Sequence, residues 1–190
     1  MHSEKHRCSW PGKDPLYIGY HDHEWGVPVR DERRMFEFMV LETFQAGLSW
    51  ITVLRKRENF RARFHGFDPY KMAQMTPADI EEALQDAGII RNRMKVEAAV
   101  QNAKLLVELE KDGFSLVDFF WNAVGGSPIQ NNFSSEEELP AKTALAAQIA
   151  KDLKKMGFKF MGATVVYAHL QAAGLVNDHI TSCYRHAELS

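Results

Sequence analysis

Apolar residues recur along most of the chain at the three- and four-residue spacing of an α-helix, and strand-like alternation is rare. Met35, Phe38 and Met39 share one such helical face, which continues through Ala46. Segment 76–79 (Thr-Pro-Ala-Asp) predicts a helix start, because it offers a capping hydroxyl, a proline in the first turn and an acid three residues after the cap. The pattern predicts an all-α fold, and the length of 190 residues predicts one domain over residues 1–190.

Two predicted helices between residues 76 and 110 are joined by the very short connection DAGIIRNR. Such a pair resembles a helix-hairpin-helix, in which backbone N–H groups bind phosphate oxygens without reading the base sequence. Gly88 lies in the connection and suits the end of the first helix, and the cations Arg91 and Arg93 follow it. A typical hairpin has a Gly-x-Gly core, whereas two isoleucines follow Gly88 here. The alternative is an ordinary antiparallel helix pair.

Composition is that of a soluble globular protein and narrows the function only slightly. The chain is 45% hydrophobic and 25% charged, and it has no apolar run long enough to span a bilayer. Since the first ten residues lack the apolar region of a signal peptide, we expect a cytoplasmic protein with no membrane partner. The net charge of −2 is unlike that of a dedicated nucleic-acid binder. Basic segments occur at 55–63, 91–95 and 151–159, and such segments are usually solvated helix faces.

The two cysteines lie near opposite ends of the chain, and each has a histidine partner. Cys8 precedes His21 by thirteen positions, and His179 precedes Cys183 by four. Zinc prefers four tetrahedral thiolate and imidazole ligands, so these side chains are a candidate structural site that clamps segments 8–21 and 179–183 together. Free thiols or a disulfide are the alternatives. Spacing does not decide between these histidines and three others nearby, which are His6, His23 and His186.

Glu42 lies in line with the apolar face of the helix that contains Phe38, and Gln45 and Ser49 continue that line. Burying a carboxylate costs several kcal/mol unless it is paired or hydrogen-bonded. One interpretation is an acid at the edge of the stripe that reaches water or an arginine. The other is a carboxylate held in an aromatic pocket to accept hydrogen bonds from a ligand.

Large aromatic residues are concentrated near Glu42 and in the N-terminal segment, and each is by itself more often a core residue than a ligand contact. A planar heterocycle needs flat rings around it and polar groups at its edge. The candidates for such a pocket are Trp10, Tyr17, Tyr20, Trp25 and Trp50. Because Tyr17 and Tyr20 directly precede His21, a metal bound there would fix their positions.

Several long stretches together resemble one family, bacterial 3-methyladenine DNA glycosylase I. The resembling stretches cover nearly the whole chain and read DPLYIGYHDHEWGVP, QAGLSWITVLRKRENFR, FDP, DAGIIRNRMKVEA, GFKFMGATVVY and GLVNDH. The resemblance implies the all-α helix-hairpin-helix DNA glycosylase fold, with the hairpin near 76–110. It also implies one structural zinc ion that joins the N- and C-terminal segments through Cys8, His21, His179 and Cys183.

Further roles follow from the resemblance alone. Glu42 is the residue that recognises methylated adenine and serves the reaction, with Tyr20 hydrogen-bonding nearby and Trp50 stacking on the base. Trp10 and Tyr17 line the pocket. The residues placed to fill the gap left by a flipped nucleotide are Gly47 and Leu48, although Leu48 also suits a core position. The wider superfamily has a catalytic aspartate after its hairpin, so Asp112 and Asp118 are the acids to exclude.

The reaction implied is hydrolytic release of 3-methyladenine from double-stranded DNA by base flipping, carried out by a monomer. Methylation at N3 makes the base cationic, so the glycosidic bond is already activated and no strong acid is required. No lysine stands out as a Schiff-base nucleophile, which indicates a monofunctional enzyme. The alternatives are a non-catalytic, zinc-stabilised DNA-binding module and a zinc hydrolase with one ligand displaced by water.

Overall fold

The computed structural model describes residues 5–45 and 47–190, and within them the predicted helical fold is confirmed. Ala46, which the sequence places on the apolar face of the helix containing Glu42, lies outside the described residues. The α-helices are α1 (Pro15–His23), α2 (Glu32–Gln45), α3 (Trp50–Arg63), α4 (Pro69–Ala73), α5 (Pro77–Gln85), α6 (Arg93–Lys111), α7 (Leu116–Ala123), α8 (Ala144–Met156), α9 (Ala163–Ala172) and α10 (Tyr184–Glu188). Single 3-10 turns span His65–Phe67 and Glu136–Glu138.

Two short strands, which the sequence pattern does not predict, form a parallel pair. They are β1 (Ile129–Gln130) and β2 (Val176–Asn177), with Ile129 opposite Val176. Two residues are too few to show an alternating pattern, so their pairing depends on the packing of the loops that contain them. The pair joins the segment after α7 to the segment after α9 and so directs the chain toward its C-terminal cysteine.

Helix α2 is the centre of the molecule, because all ten residues from Met35 to Phe44 are buried. It packs against α3, α6, α7 and α9. A helix that is buried on every side belongs inside a protein rather than at its surface. The one uncompensated polar feature of this helix, Glu42, is therefore fixed in the interior by the residues around it.

Local capping explains where several helices begin. The predicted start at Thr76 is confirmed: its hydroxyl accepts from the Asp79 N–H, and the Asp79 carboxylate accepts from the Thr76 N–H at 2.7 Å. The Asp14 side chain accepts from two backbone N–H groups at the start of α1 and also pairs with Arg55 of α3 at 2.6 Å. This double use of Asp14 holds α1 beside α3.

Glycine is required where the chain turns back after α9. Gly174 has a φ of +68°, and a Cβ there would lie 2.4 Å from the carbonyl carbon of Val27. The backbone after α1 therefore passes directly against this turn. Gly88, by contrast, has no positive φ, and α5 ends before it at Gln85. Its constraint is space, since a Cβ would lie 2.9 Å from Asn59 of α3.

None of the helices in the described ranges is both long enough and apolar enough to cross a bilayer.

Candidate active site and metal centre

The buried Glu42 lines a cavity of about 230 Å³, which is smaller than the sites that bind drug-sized ligands, about 300–1,000 Å³. The cavity therefore suits one small ring system. Its lining comes from α1, α2, α3 and α9, from the segments before and after α1, and from the loop before α8. The lining residues are Trp10, Tyr17, Tyr20, Trp25, Glu42, Gln45, Trp50, Leu139, Ala168 and Gln171.

The aromatic candidates of the sequence meet in this cavity. The ring centroids of Trp10 and Tyr17 are 4.7 Å apart, and those of Tyr20 and Trp50 are 5.5 Å apart. Trp25 lies edge-on to Trp10 with its centroid at 5.2 Å. The indole N–H of Trp50 is buried and has no partner among the described residues. Flat walls with an unused donor fit a planar ligand that has acceptor atoms at its edge.

The carboxyl group of Glu42 forms no ion pair with any residue that the structure describes. The residue is 4% exposed, and burial raises its pKa to about 8. Burial and the nearby Glu42 also raise the pKa of Tyr20 well above 10, so the phenol remains a neutral donor. The interpretation of Glu42 as an acid that reaches water or an arginine is therefore wrong. The raised pKa favours the protonated, neutral form of Glu42 at neutral pH.

Ion pairs fix the wall behind the cavity. Glu24, which follows α1, pairs with Arg57 of α3 at 2.6 Å and with Arg34 of α2. Arg34 lies over the Phe38 ring at 4.7 Å, and Phe38 packs in the same apolar cluster as Tyr20. These contacts tie the end of α1 to the two helices that hold Glu42 and Trp50.

Three cavity residues are not found by reasoning from the sequence. Leu139 comes from the loop before α8, and no local pattern marks it. Ala168 and Gln171 are three positions apart on α9 and therefore share one face of this helix, which is separate from its core-facing stripe. The usable signal was the single glutamine in the apolar helix ATVVYAHLQA. Asp112 and Asp118 are exposed and do not line the cavity.

The four predicted metal ligands form one buried cluster, in which the ligand atoms all lie within 4.8 Å of one another. His21 Nε2 is 3.5 Å from Cys183 Sγ, and His179 Nδ1 is 3.6 Å from both Cys8 Sγ and Cys183 Sγ. A tetrahedral zinc ion with ordinary bond lengths separates nitrogen and sulfur ligands by about 3.6 Å. The cluster therefore has the donor set and the spacing of a closed metal site.

The other nitrogen of each histidine in this cluster has its own acceptor. His21 Nδ1 is 2.8 Å from Asp22 Oδ1, and His179 Nε2 is 3.1 Å from the Trp25 carbonyl oxygen. Such partners orient an imidazole toward a metal. The competing histidines are used elsewhere or exposed: His6 contacts the Ser182 carbonyl, His186 contacts the Asn131 carbonyl, and His23 is exposed. The two cysteines are not a disulfide.

The metal cluster and the cavity share a wall. The Trp10 ring is 5.2 Å from the His21 ring, and the Trp25 ring is 4.6 Å from the His179 ring. Both tryptophans line the cavity. The Cys2His2 cluster and the cavity are therefore in direct contact through these rings.

Gly47 and Leu48 lie between α2 and α3. Gly47 has a φ of +83°, and Leu48 is 40% exposed. The Gln45 side-chain amide donates to the Leu48 carbonyl oxygen at 2.9 Å, which holds the turn. The exposure of this apolar side chain shows that a core role for Leu48 is wrong.

The α5–α6 connection is less open than a phosphate site requires. The Gly88 N–H donates to Asp86 Oδ1 at 2.7 Å, and Arg93 pairs with Glu81 through two hydrogen bonds. Arg91 is exposed. Gly88 and Arg93 would have to break these hydrogen bonds to bind a phosphate, whereas the exposed Arg91 could bind one directly.

A second helix junction, between α8 and α9, has a stronger cationic surface. Lys151, Lys154 and Lys159 line one groove there and form no ion pair within the described residues. Gly162 precedes α9 and has no side chain to cap its N-terminal N–H groups. The sequence interpretation of segment 151–159 as a plain solvated face omits this groove.

The fold and the cavity define a class of helical protein. Its members have an aromatic pocket that contains a buried acid, together with an exposed apolar turn and a Cys2His2 cluster. The family model for methyladenine glycosylase matches residues 10–186. This chain belongs to the methyladenine glycosylase family.

Relatives in this family match the chain over nearly its whole length. The chain is 51% identical to DNA-3-methyladenine glycosylase 1 of Escherichia coli (strain K12) over 177 residues, which are 93% of this chain and 95% of the relative. It is similar to a crystal structure of 3-methyladenine DNA glycosylase I with a TM-score of 0.92 and 52% identity, covering 94% and 98% of the two chains. A structure of the Staphylococcus aureus enzyme, described for its 3-methyladenine recognition, has a TM-score of 0.90 and 38% identity, covering 94% and 95%.

Burial of Glu42 predicts a measurable dependence of stability on pH. Between pH 4.5 and about 8 the folded protein keeps a proton on Glu42 that the unfolded chain has lost. The unfolding free energy should therefore fall as pH rises through this window, by about 1.4 kcal/mol per pH unit from this group. Glu42→Gln should remove that fall, which urea denaturation of both proteins at pH 5, 6.5 and 8 measures.

The difference between the two proteins isolates Glu42. Burial lowers the pKa of His169 to about 3, and this histidine contributes the opposite slope below pH 6.5 in both proteins. Parallel stability curves for wild type and Glu42→Gln would contradict a buried, protonated Glu42.

Proposed function

We propose that this protein releases 3-methyladenine from alkylated double-stranded DNA by hydrolysing the N-glycosidic bond, as a step of base-excision repair. The observation that carries the proposal is the buried acid Glu42 in the lining of an aromatic cavity sized for one small ring system. Relatives named for this activity, with structures that contain 3-methyladenine, support the choice of base.

Charge explains how this pocket serves the reaction. Methylation at N3 makes the base cationic while it is still attached to the sugar. We infer that the flipped cation lowers the pKa of Glu42, that the Glu42 proton passes to solvent, and that the resulting carboxylate holds the base in a water-poor site. Trp50 and Trp10 contribute stacking, which is worth about 1–2 kcal/mol for a desolvated cation. Tyr20 supplies a neutral donor at the base edge.

The chemical step needs little from the protein. The bond between the sugar C1′ and the base nitrogen breaks, and its electron pair neutralises the base. A water oxygen then bonds to C1′ and gives its proton to solvent. No lysine lines the cavity among the described residues, so the proposed enzyme is a monofunctional glycosylase without strand cleavage.

Base release is the direct test of this function. Methylated duplex DNA should yield free 3-methyladenine on chromatography, and Glu42→Gln should slow release by about 10- to 100-fold at pH 7 because it removes the developing carboxylate. Ser9→Ala, outside the cavity lining, is the control. A folded wild-type sample that releases no base would overturn the proposal and favour the DNA-binding module without catalysis.

We propose that the Cys2His2 cluster holds one structural zinc ion. The ion would neutralise two thiolates that share a buried space. In its absence, the hydrogen bond between the two thiols raises the pKa of Cys8 and lowers that of Cys183. All four ligands come from the protein and are buried, which supports a closed site and disfavours the zinc-hydrolase alternative.

The contact between the Asp22 carboxylate and His21 gives a test of the zinc proposal. Asp22→Asn should weaken the carboxylate contact to His21 and speed zinc loss to a colorimetric chelator, with affinity falling about 10- to 100-fold. Asp152→Asn, the same change on the exposed face of α8, should leave retention unaltered. Equal retention by both variants would argue against His21 as a ligand. Chelation should lower the melting temperature rather than stop turnover in a stable protein.

We infer that DNA binds across the cavity mouth, with Gly47 and Leu48 filling the gap left by the flipped nucleotide. The backbone contacts come from the lysine groove at the α8–α9 junction, with Arg91 adding to them from the α5–α6 connection. The groove lies near the cavity because α9 connects them. Gly162 in the groove directly precedes Ala163, the first residue of α9, and Ala168 in the cavity lining is about 7.5 Å from Ala163 along the helix axis.

The salt dependence of DNA binding distinguishes the two protein surfaces that could contact the DNA backbone, which are the lysine groove and the α5–α6 connection. Lys154→Gln should weaken binding to undamaged duplex and reduce the slope of log K against log salt by about 1. Lys155→Gln is matched, because that lysine lies on the same helix but pairs with Asp152 and does not line the groove. Arg93→Gln should have little effect. If the slope of log K against log salt is unchanged for Lys154→Gln but reduced for Arg93→Gln, the DNA backbone binds at the hairpin near 76–110 instead.

We infer that residues 1–190 act as one domain and as a monomer. One core cluster includes residues from α2 to α9 and from β2, and the metal cluster joins both terminal segments to it. The cavity is complete within one copy of the chain.

A further inference from the structure

Gln171 lines the cavity, yet neither the fold nor the mechanism above uses it. Its backbone carbonyl accepts a hydrogen bond from the Gly26 N–H at 3.1 Å, which fixes the main chain against the segment after α1. Its side-chain Nε2 donates to Asp178 Oδ2 at 2.8 Å. A half-buried amide that is held at both ends cannot turn freely.

Asp178 is the anchor of this arrangement. It is 1% exposed, and it accepts from Asn131 Nδ2 at 2.7 Å and from the Tyr167 hydroxyl, as well as from Gln171. A carboxylate surrounded by three donors is acceptor-only. Gln171 must therefore turn its NH2 group toward Asp178, and its carbonyl oxygen is left for the cavity side.

Gln45, another lining residue, has a similarly fixed side chain. Its NH2 group donates to the Leu48 carbonyl, so its oxygen is the free end as well. The two glutamines therefore offer fixed acceptor oxygens to the cavity. Such a site favours a ligand that carries N–H donors and disfavours one with a carbonyl oxygen in the same place, because two facing acceptors leave both unpaired.

We propose that Gln171 is a specificity-determining residue: its carbonyl oxygen, oriented by Asp178, accepts a hydrogen bond from the exocyclic amine of the methylated adenine. The proposal rests on the function proposed above and deepens it. It predicts discrimination against N3-methylated purines that carry an oxygen at C6, such as 3-methylguanine and 3-methylhypoxanthine. Asp178 is a positioning residue in this scheme and touches no substrate.

A purely structural role for Gln171 is the competing explanation. In that case the Gln171–Asp178 bond only joins α9 to the segment after β2, and its loss would weaken all ligands alike. The two explanations differ in one readout, which is the ratio of affinities for a base with an amine at C6 and a base with an oxygen there.

The experiment compares wild type, Gln171→Met and Gln148→Met by titration calorimetry with free 3-methyladenine and free 3-methylhypoxanthine. Methionine keeps the length of the side chain and removes the amide. Gln148 is a matched control, since its Nε2 also donates to an aspartate, Asp152, at 2.9 Å, but on the exposed face of α8. Thermal melts of each variant establish that it is folded, and Gln171→Ala replaces Gln171→Met if the latter is not.

We expect wild type and Gln148→Met to prefer 3-methyladenine, and the Gln171 variant to lose about tenfold or more of that preference. Release of 3-methylguanine relative to 3-methyladenine from methylated DNA should rise in parallel. An unchanged preference in a folded Gln171 variant, whatever the absolute affinities, overturns the proposal. Failure of wild type to release 3-methyladenine at all would instead overturn the proposed function, so the two failures are distinct.

Discussion

The burial of one carboxyl group without a cation determines how the rest of this structure is arranged. Glu42 lies on α2, whose ten residues from Met35 to Phe44 are all buried. An ionised side chain there would cost several kcal/mol, and this burial raises the pKa of Glu42 to about 8, which favours the protonated form at neutral pH. A surface helix would let the acid reach water. The surrounding helices hold α2 in the interior and so keep the acid in its unfavourable place.

The metal cluster has a corresponding role for the opposite wall of the cavity. Trp10 and α1 come from the N-terminal region, and their positions relative to α2 depend on segments that are far apart in sequence. His21 is on α1 itself, directly after Tyr20, and its partners Cys183 and His179 are near the C-terminus. A metal ion held by these four side chains would close a loop of this length and restrict the unfolded chain far more than a local contact does. The proposed zinc ion would thereby help to order the cavity residues Trp10 and Trp25, whose rings contact His21 and His179.

The features that the sequence reveals are those set by local chemistry or by residue type. The helix start at Thr76 depends on residues three positions apart, and Glu42 stands out because a charge interrupts an apolar stripe. The four metal ligands are marked by scarcity, since the chain has two cysteines. The β1–β2 pair, Leu139 and Gln171 are different, because loops and helices distant in sequence bring them to the site. The groove of Lys151, Lys154 and Lys159 also needs the α8–α9 packing before it differs from an ordinary basic face.

The raised pKa of Glu42 gives the pocket a means of choosing its ligand by charge. With a pKa of about 8, ionising the empty pocket at pH 7 costs about 1.4 kcal/mol. Close-range attraction between a cationic base and the Glu42 carboxylate offsets this cost in a site that excludes water, whereas a neutral adenine has no charge to offset it. An acid with an ordinary pKa would instead be ionised in the empty pocket and would repel the phosphates of every approaching strand. A protonated Glu42 does not repel the DNA phosphates, and it ionises only when a positively charged base occupies the pocket. The fixed acceptor of Gln171 then distinguishes among cations of similar size, so charge and hydrogen bonding act on separate features of the same base.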